Sequence, residues 1–135
     1  MEYLLTLLHN NIAVTGMLLI VCVSILFLLL HDWNAIRHKA KHAKPVHYTK
    51  FLMEWDAYRP IDKPGCYIIL IYKRRPLYHT VQKCKRYNEV YVGQSVNMYK
   101  RVYNHLTGHG NGDVYADVKY GKYVYVKFIA CYHEQ

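Results

Sequence analysis

The sequence predicts an α+β fold: a small, mainly antiparallel three-stranded sheet flanked by helices and preceded by one N-terminal transmembrane helix. Three observations carry this reading. An uncharged apolar stretch lies near the N-terminus, two short β-branched segments follow a proline-rich break, and a closing segment alternates apolar with polar residues.

Residues 12–30 hold no charged side chain, and only Thr15, Gly16 and Ser24 interrupt the apolar run. At about 1.5 Å rise per residue a helix here reaches across a hydrocarbon core of roughly 30 Å. A domain this small has too little surface to bury a helix apolar all round. A cleaved signal peptide would need a basic start and a small-residue cleavage site, and residues 1–11 contain no Lys or Arg. Arg37, Lys39, Lys41 and Lys44 follow the apolar run. The positive-inside rule then predicts a single-pass membrane protein with a short extracytoplasmic N-terminus, residues 1–11, and a cytoplasmic C-terminal domain. Trp33 suits the membrane interface, and the basic run suits anionic lipid or a solvated linker helix.

Residues 31–63 read as a basic juxtamembrane linker, ended at Pro45, and a short helix with Phe51, Leu52, Trp55 and Tyr58 at helical spacing. The remaining domain, 64–135, opens at Pro64-Gly65. Residues 66–72 are apolar and β-branched, as in a strand buried on both faces. A polar excursion with a basic tip at Lys73, Arg74 and Arg75 leads to a second strand at 89–93. Asn97 is a reasonable cap for the helix after it, in which Met98, Val102 and Leu106 share the core face. Asp113 is a candidate cap for a short helix at 114–119. Residues 123–132 alternate, with Val124, Val126, Phe128 and Ala130 on one side and Tyr123, Tyr125 and Lys127 on the solvent side.

Composition narrows the partners. All 18 Lys and Arg lie after residue 30, against 8 of the 9 acidic residues. That excess favours polyanions such as nucleic acid or anionic lipid. Cys22, Cys66, Cys84 and Cys131 form no C-x-x-C pair, which argues against a zinc ribbon or a thioredoxin-like motif and fits free thiols in a reducing compartment. The nine His residues are scattered and show no metal-ligand spacing.

Gly65-Cys66-Tyr67, then Tyr91-Val92-Gly93, then Ser95, Asn97, Arg101 and His105 occur in an order that resembles the GIY-YIG nuclease family. Each tripeptide is a weak signal, and the ordered set is a strong one. The resemblance implies metal-dependent phosphodiester hydrolysis of DNA by a membrane-anchored endonuclease. It implies catalytic roles for Tyr67, Tyr91, Arg101 and His105, and substrate-binding roles for Ser95, Asn97 and Lys100. Tyr67 and Tyr91 would position or deprotonate water, Arg101 would offset charge on the phosphate, and His105 would bond a phosphate oxygen or orient the base. The family's cofactor is a divalent metal, Mg²⁺ or Mn²⁺, held by a Glu on a helix after the third strand. The sequence ends at Gln135 with Glu134 as the only acid there, so the expectation is a shortened member that lacks its last helix. Two rival readings follow: a catalytically incomplete nucleic-acid-binding module, or a small membrane protein that binds a protein partner.

Overall fold

The computed structural model describes residues 2–131. The chain divides into two units, Met1–His38 and Lys39–Gln135. Helix α1 runs Glu2–His42, well past the expected apolar stretch at both ends. It is long and apolar enough to cross a membrane. The hydroxyls of Thr15 and Ser24 donate back to the carbonyls of Ile12 and Ile20, at 2.9 and 2.8 Å, which satisfies them within the helix itself. No helix breaker stands between residue 30 and Pro45, so the helix continues through the basic flank.

The second unit is built on an antiparallel sheet of four strands: β1 (Val46–His47), β2 (Gly65–Tyr72), β3 (Glu89–Ser95) and β4 (Tyr123–Ala130), in the order β1-β4-β2-β3. The expected three strands are therefore one too few. Val46 and His47 pair with Val126 and Tyr125, and a two-residue strand is too short to show any periodicity in sequence. The anticipated helix over 48–58 is two pieces, α2 (Tyr48–Met53) and α3 (Trp55–Tyr58), broken at Glu54.

Helices α5 (Met98–Thr107) and α6 (Gly112–Lys119) lie with α2 on one face of the sheet. Met98, Val102 and Leu106 are buried there, as the spacing requires, against Phe51, Ile69 and Val126. Burial of each such side chain stabilises the fold by about 1.5–3 kcal/mol. The other face carries Leu70 and Tyr72 and is covered by α4 (Tyr78–Gln82), a helix inside the polar excursion. This cover corrects the expectation for Lys127, which is 0% exposed instead of facing solvent. Its ammonium donates to the carbonyl of Gln82 at 2.6 Å and lies 3.6 Å from the sulfur of Cys84. The alternating pattern located the residue on the right side of the strand, but α4 turns that side into interior.

Two helix starts also differ from expectation. Asn97 holds the cap position of α5 but makes no side-chain cap bond. Asp62 takes that role from far back in the chain, accepting from the backbone N–H of Tyr99 at 2.9 Å and of Lys100 at 3.0 Å. In α6 the cap is Asn111, whose side chain accepts from the N–H of Asp113 at 2.9 Å. Gly108, with φ 89°, closes α5 in the left-handed conformation that suits glycine.

Candidate functional site

The site grows from the pairing of β2 with β3. Tyr67 stands opposite Gly93, and Ile69 opposite Tyr91, so both tyrosines project from the helix-covered face. A side chain at position 93 would collide with the phenol of Tyr67. The glycine of the second tripeptide is there to leave room for the tyrosine of the first. Gly65 has a similar reason: a side chain there would strike Met98 at the start of α5 and the carbonyl of Ile129.

Tyr67 and His105 are 5% and 7% exposed, and the Tyr67 hydroxyl lies 2.9 Å from His105 Nε2. The backbone N–H of Asn111 donates to His105 Nδ1 at 2.8 Å. That bond requires Nδ1 to be bare, so a neutral ring carries its proton on Nε2 and donates it to Tyr67. Burial, and then the nearby Arg101 guanidinium, hold the His105 pKa below its ordinary value, which keeps the ring neutral. Tyr67 is therefore an acceptor toward His105, and its own proton is directed elsewhere. Gly110 completes the nest, since a side chain there would meet His105 Nδ1.

Tyr91 has different surroundings. Its hydroxyl donates to Glu89 Oε2 over a long 3.4 Å. Burial, then Glu89, Asp113 and Asp117, raise its pKa, so it stays protonated. Lys122 bridges two of these acids, at 2.9 Å from Glu89 and in direct contact with Asp117. The bonds to Asp117 and Glu89 raise the Lys122 pKa, and the bond to Lys122 lowers that of Glu89. Asp117 is 6% exposed, and its Oδ2 has no hydrogen-bond partner among the described residues. The two motif tyrosines are thus chemically distinct: one faces an imidazole, the other a cluster of acids.

Arg101 is exposed and lies close enough to His105 for its charge to act there. Among the described residues it forms no ion pair with a carboxylate. Ser95 is turned inward to the chain, its hydroxyl accepting from the N–H of Asn97 at 3.1 Å. Asn97 and Lys100 line a separate groove of about 380 Å³ with Arg59 and Trp55, and Trp55 stacks on Tyr103 with ring centroids 4.3 Å apart. The fold therefore brings Tyr67, Tyr91, Arg101 and His105 to one region, leaves Ser95 at the end of β3 bonded to its own backbone, and puts Asn97 and Lys100 in a neighbouring groove.

Sequence reasoning missed Asp62, Glu89, Asp117 and Lys122. Glu89 lay just ahead of the second tripeptide and Asp117 lies five residues before Lys122, both weak signals, but Asp62 meets α5 and Lys122 meets Glu89 only through long-range folding. No group of three or more His, Cys, Asp or Glu suited to a metal ion occurs among the described residues. Glu134 lies outside them.

Compared with family models, with curated proteins and with solved structures, the chain finds no match.

Proposed function

We propose that residues 64–135 are a GIY-YIG-type module acting on the phosphodiester backbone of nucleic acid, DNA in the first instance. One helix would anchor the chain in a membrane, with this domain on the cytoplasmic side, as the basic flank of the apolar stretch suggests. The observation that carries the reading is the buried Tyr67–His105 contact, seated over Gly93 of the second tripeptide, with Arg101 one helical turn from His105. A phosphodiester repels an anionic nucleophile, so charge must be offset as the attacking bond forms. Arg101 supplies a permanent cation for that purpose. Tyr67, held by His105, positions the attacking water or a phosphate oxygen through its remaining hydrogen. Tyr91, kept protonated by its acidic neighbours, serves as a donor.

The family's divalent metal finds no fitting ligand set among the described residues. Of the acids that act on Tyr91, Glu89 and Asp117 are engaged by Lys122. That observation favours a second reading, in which the module binds nucleic acid without cutting it. Incubating the full-length protein in detergent with plasmid DNA and Mg²⁺ or Mn²⁺ separates the two. The nuclease reading expects nicked or linear product that disappears in an Arg101→Ala variant. Retained binding with no product would leave the binding-module reading.

A further inference from the structure

The connection between β2 and β3 borders an open concavity of about 570 Å³ that the site above does not use. Lys73, Arg74, Arg75, Thr80, Arg86 and Asn88 wall it, and among the described residues no carboxylate lines it. Among the described residues none of its three arginines is ion-paired with a carboxylate. Lys73 acts at longer range on Glu89, and Arg75 is near enough to His47 to contribute to its lowered pKa, after burial. Four cations gathered around one concavity repel one another, so the arrangement gains when a polyanion enters.

The backbone that carries these walls is held by hydrogen bonds. The N–H of Lys73 donates to Asn88 Oδ1 at 2.8 Å, the N–H of Asn88 donates to the carbonyl of Ile71 at 2.8 Å, and the Tyr72 hydroxyl donates to the carbonyl of Lys85 at 3.2 Å. Cys84 and Arg86 adopt positive φ, 50° and 53°, a conformation that costs free energy in non-glycine residues. Val81 of α4, 1% exposed, pins the segment to the sheet. The volume falls in the range of small-ligand sites, and a concave, donor-lined shape suits discrete phosphate groups better than a flat bilayer surface does. Tyr72, at the cavity, and Tyr67, at the other site, point to opposite faces of β2.

The geometry points to a second, independent phosphate-binding site in the β2–β3 connection, which takes the adjacent phosphates of a nucleoside polyphosphate or of a nucleic-acid strand end. It does not depend on cleavage at Tyr67. The test is calorimetric titration of the full-length protein, in zwitterionic detergent, with inorganic triphosphate, followed by competition with a 5′-phosphorylated oligonucleotide and with its unphosphorylated form. Saturable triphosphate binding is expected, weakened roughly tenfold or more by Arg75→Glu or Arg86→Glu and changed less than about twofold by Lys119→Glu, an equal charge change elsewhere. Competition by the phosphorylated oligonucleotide identifies a strand end as ligand, and its failure to compete identifies a free polyphosphate. Should the charge-reversed proteins lose their near-ultraviolet circular dichroism, Arg75→Gln and Arg86→Gln take their place, with the same ranking expected. Absent binding, or equal loss in Lys119→Glu, overturns the site. So does binding only to anionic phosphatidylserine vesicles, which would make the cluster a membrane contact. A negative plasmid assay leaves this result untouched, so the two readings fail separately.

Discussion

Tyr67 lies opposite Gly93 across the β2–β3 pair, and its phenol fills the volume that any side chain at position 93 would occupy. The two tripeptides are thus one packing unit, a tyrosine from the first resting on a glycine from the second. Replacing Gly93 by Ala forces the ring to move. Overpacking of this kind costs about 1–3 kcal/mol, read as a lower melting temperature. The double variant Gly93→Ala/Tyr67→Leu should recover part of that loss, because residues in contact are not additive. A full, additive loss would show that the two do not interact.

His105 predicts a pH dependence. Its folded pKa is depressed, first by burial and then by Arg101, below the ordinary 6.5. A depressed group contributes stability that is fully present above the unfolded pKa and is lost as pH falls through the folded one. Protonation also places a hydrogen on Nδ1, where the N–H of Asn111 already points. Chemical denaturation between pH 7.5 and 5 should show the parent losing stability relative to His105→Gln as the medium is acidified. Parallel curves would mean that His105 does not titrate in this range.

Arg101 separates chemistry from folding. The side chain is exposed, so Arg101→Ala should leave stability within about 0.5 kcal/mol. Under the proposed function it should reduce cleavage by about 100-fold or more, since removal of one charge-stabilising donor typically costs that much. Product formation at the parental rate would remove Arg101 from the mechanism.

The start of α5 gives a contrast between two neighbouring polar residues. Asp62→Ala removes the acceptor for three backbone N–H groups, two of them in the first turn of α5, and should destabilise by about 1–2 kcal/mol. Asn97→Ala, whose side chain makes no cap bond, should be near neutral in the same melt. The reverse ranking would contradict the capping geometry.

Much of this was legible in the sequence where the causes are local. Met98, Val102 and Leu106 announced their face through spacing, and Val124 and Val126 through alternation. The order of Tyr67, Tyr91, Arg101 and His105 named residues that the fold sets near one another. What escaped depends on chain segments meeting at a distance. Lys127 reads as a solvent-facing strand lysine until α4 folds over it. Asp62 reads as a loop acid until α5 docks beside it. The ion pair of Lys122 with Glu89 joins the turn before β4 to the start of β3, 33 residues apart in the chain. Val46 and His47 form a strand only because β4 offers them an edge.

The capping of α5 by Asp62 has a consequence for how the protein reaches its native state. The first turn of the helix that carries Arg101 and His105 is completed by a residue 37 positions away from Tyr99. That turn is a tertiary element in helical form, and an excised peptide over 98–107 lacks it. Loop closure must come first, so the amides of Tyr99 and Lys100 gain protection from hydrogen exchange only when the segment ahead of β2 has docked. Residues 98–107 thus become ordered as part of a cooperative unit with β2, and their protection factors report when that unit has closed.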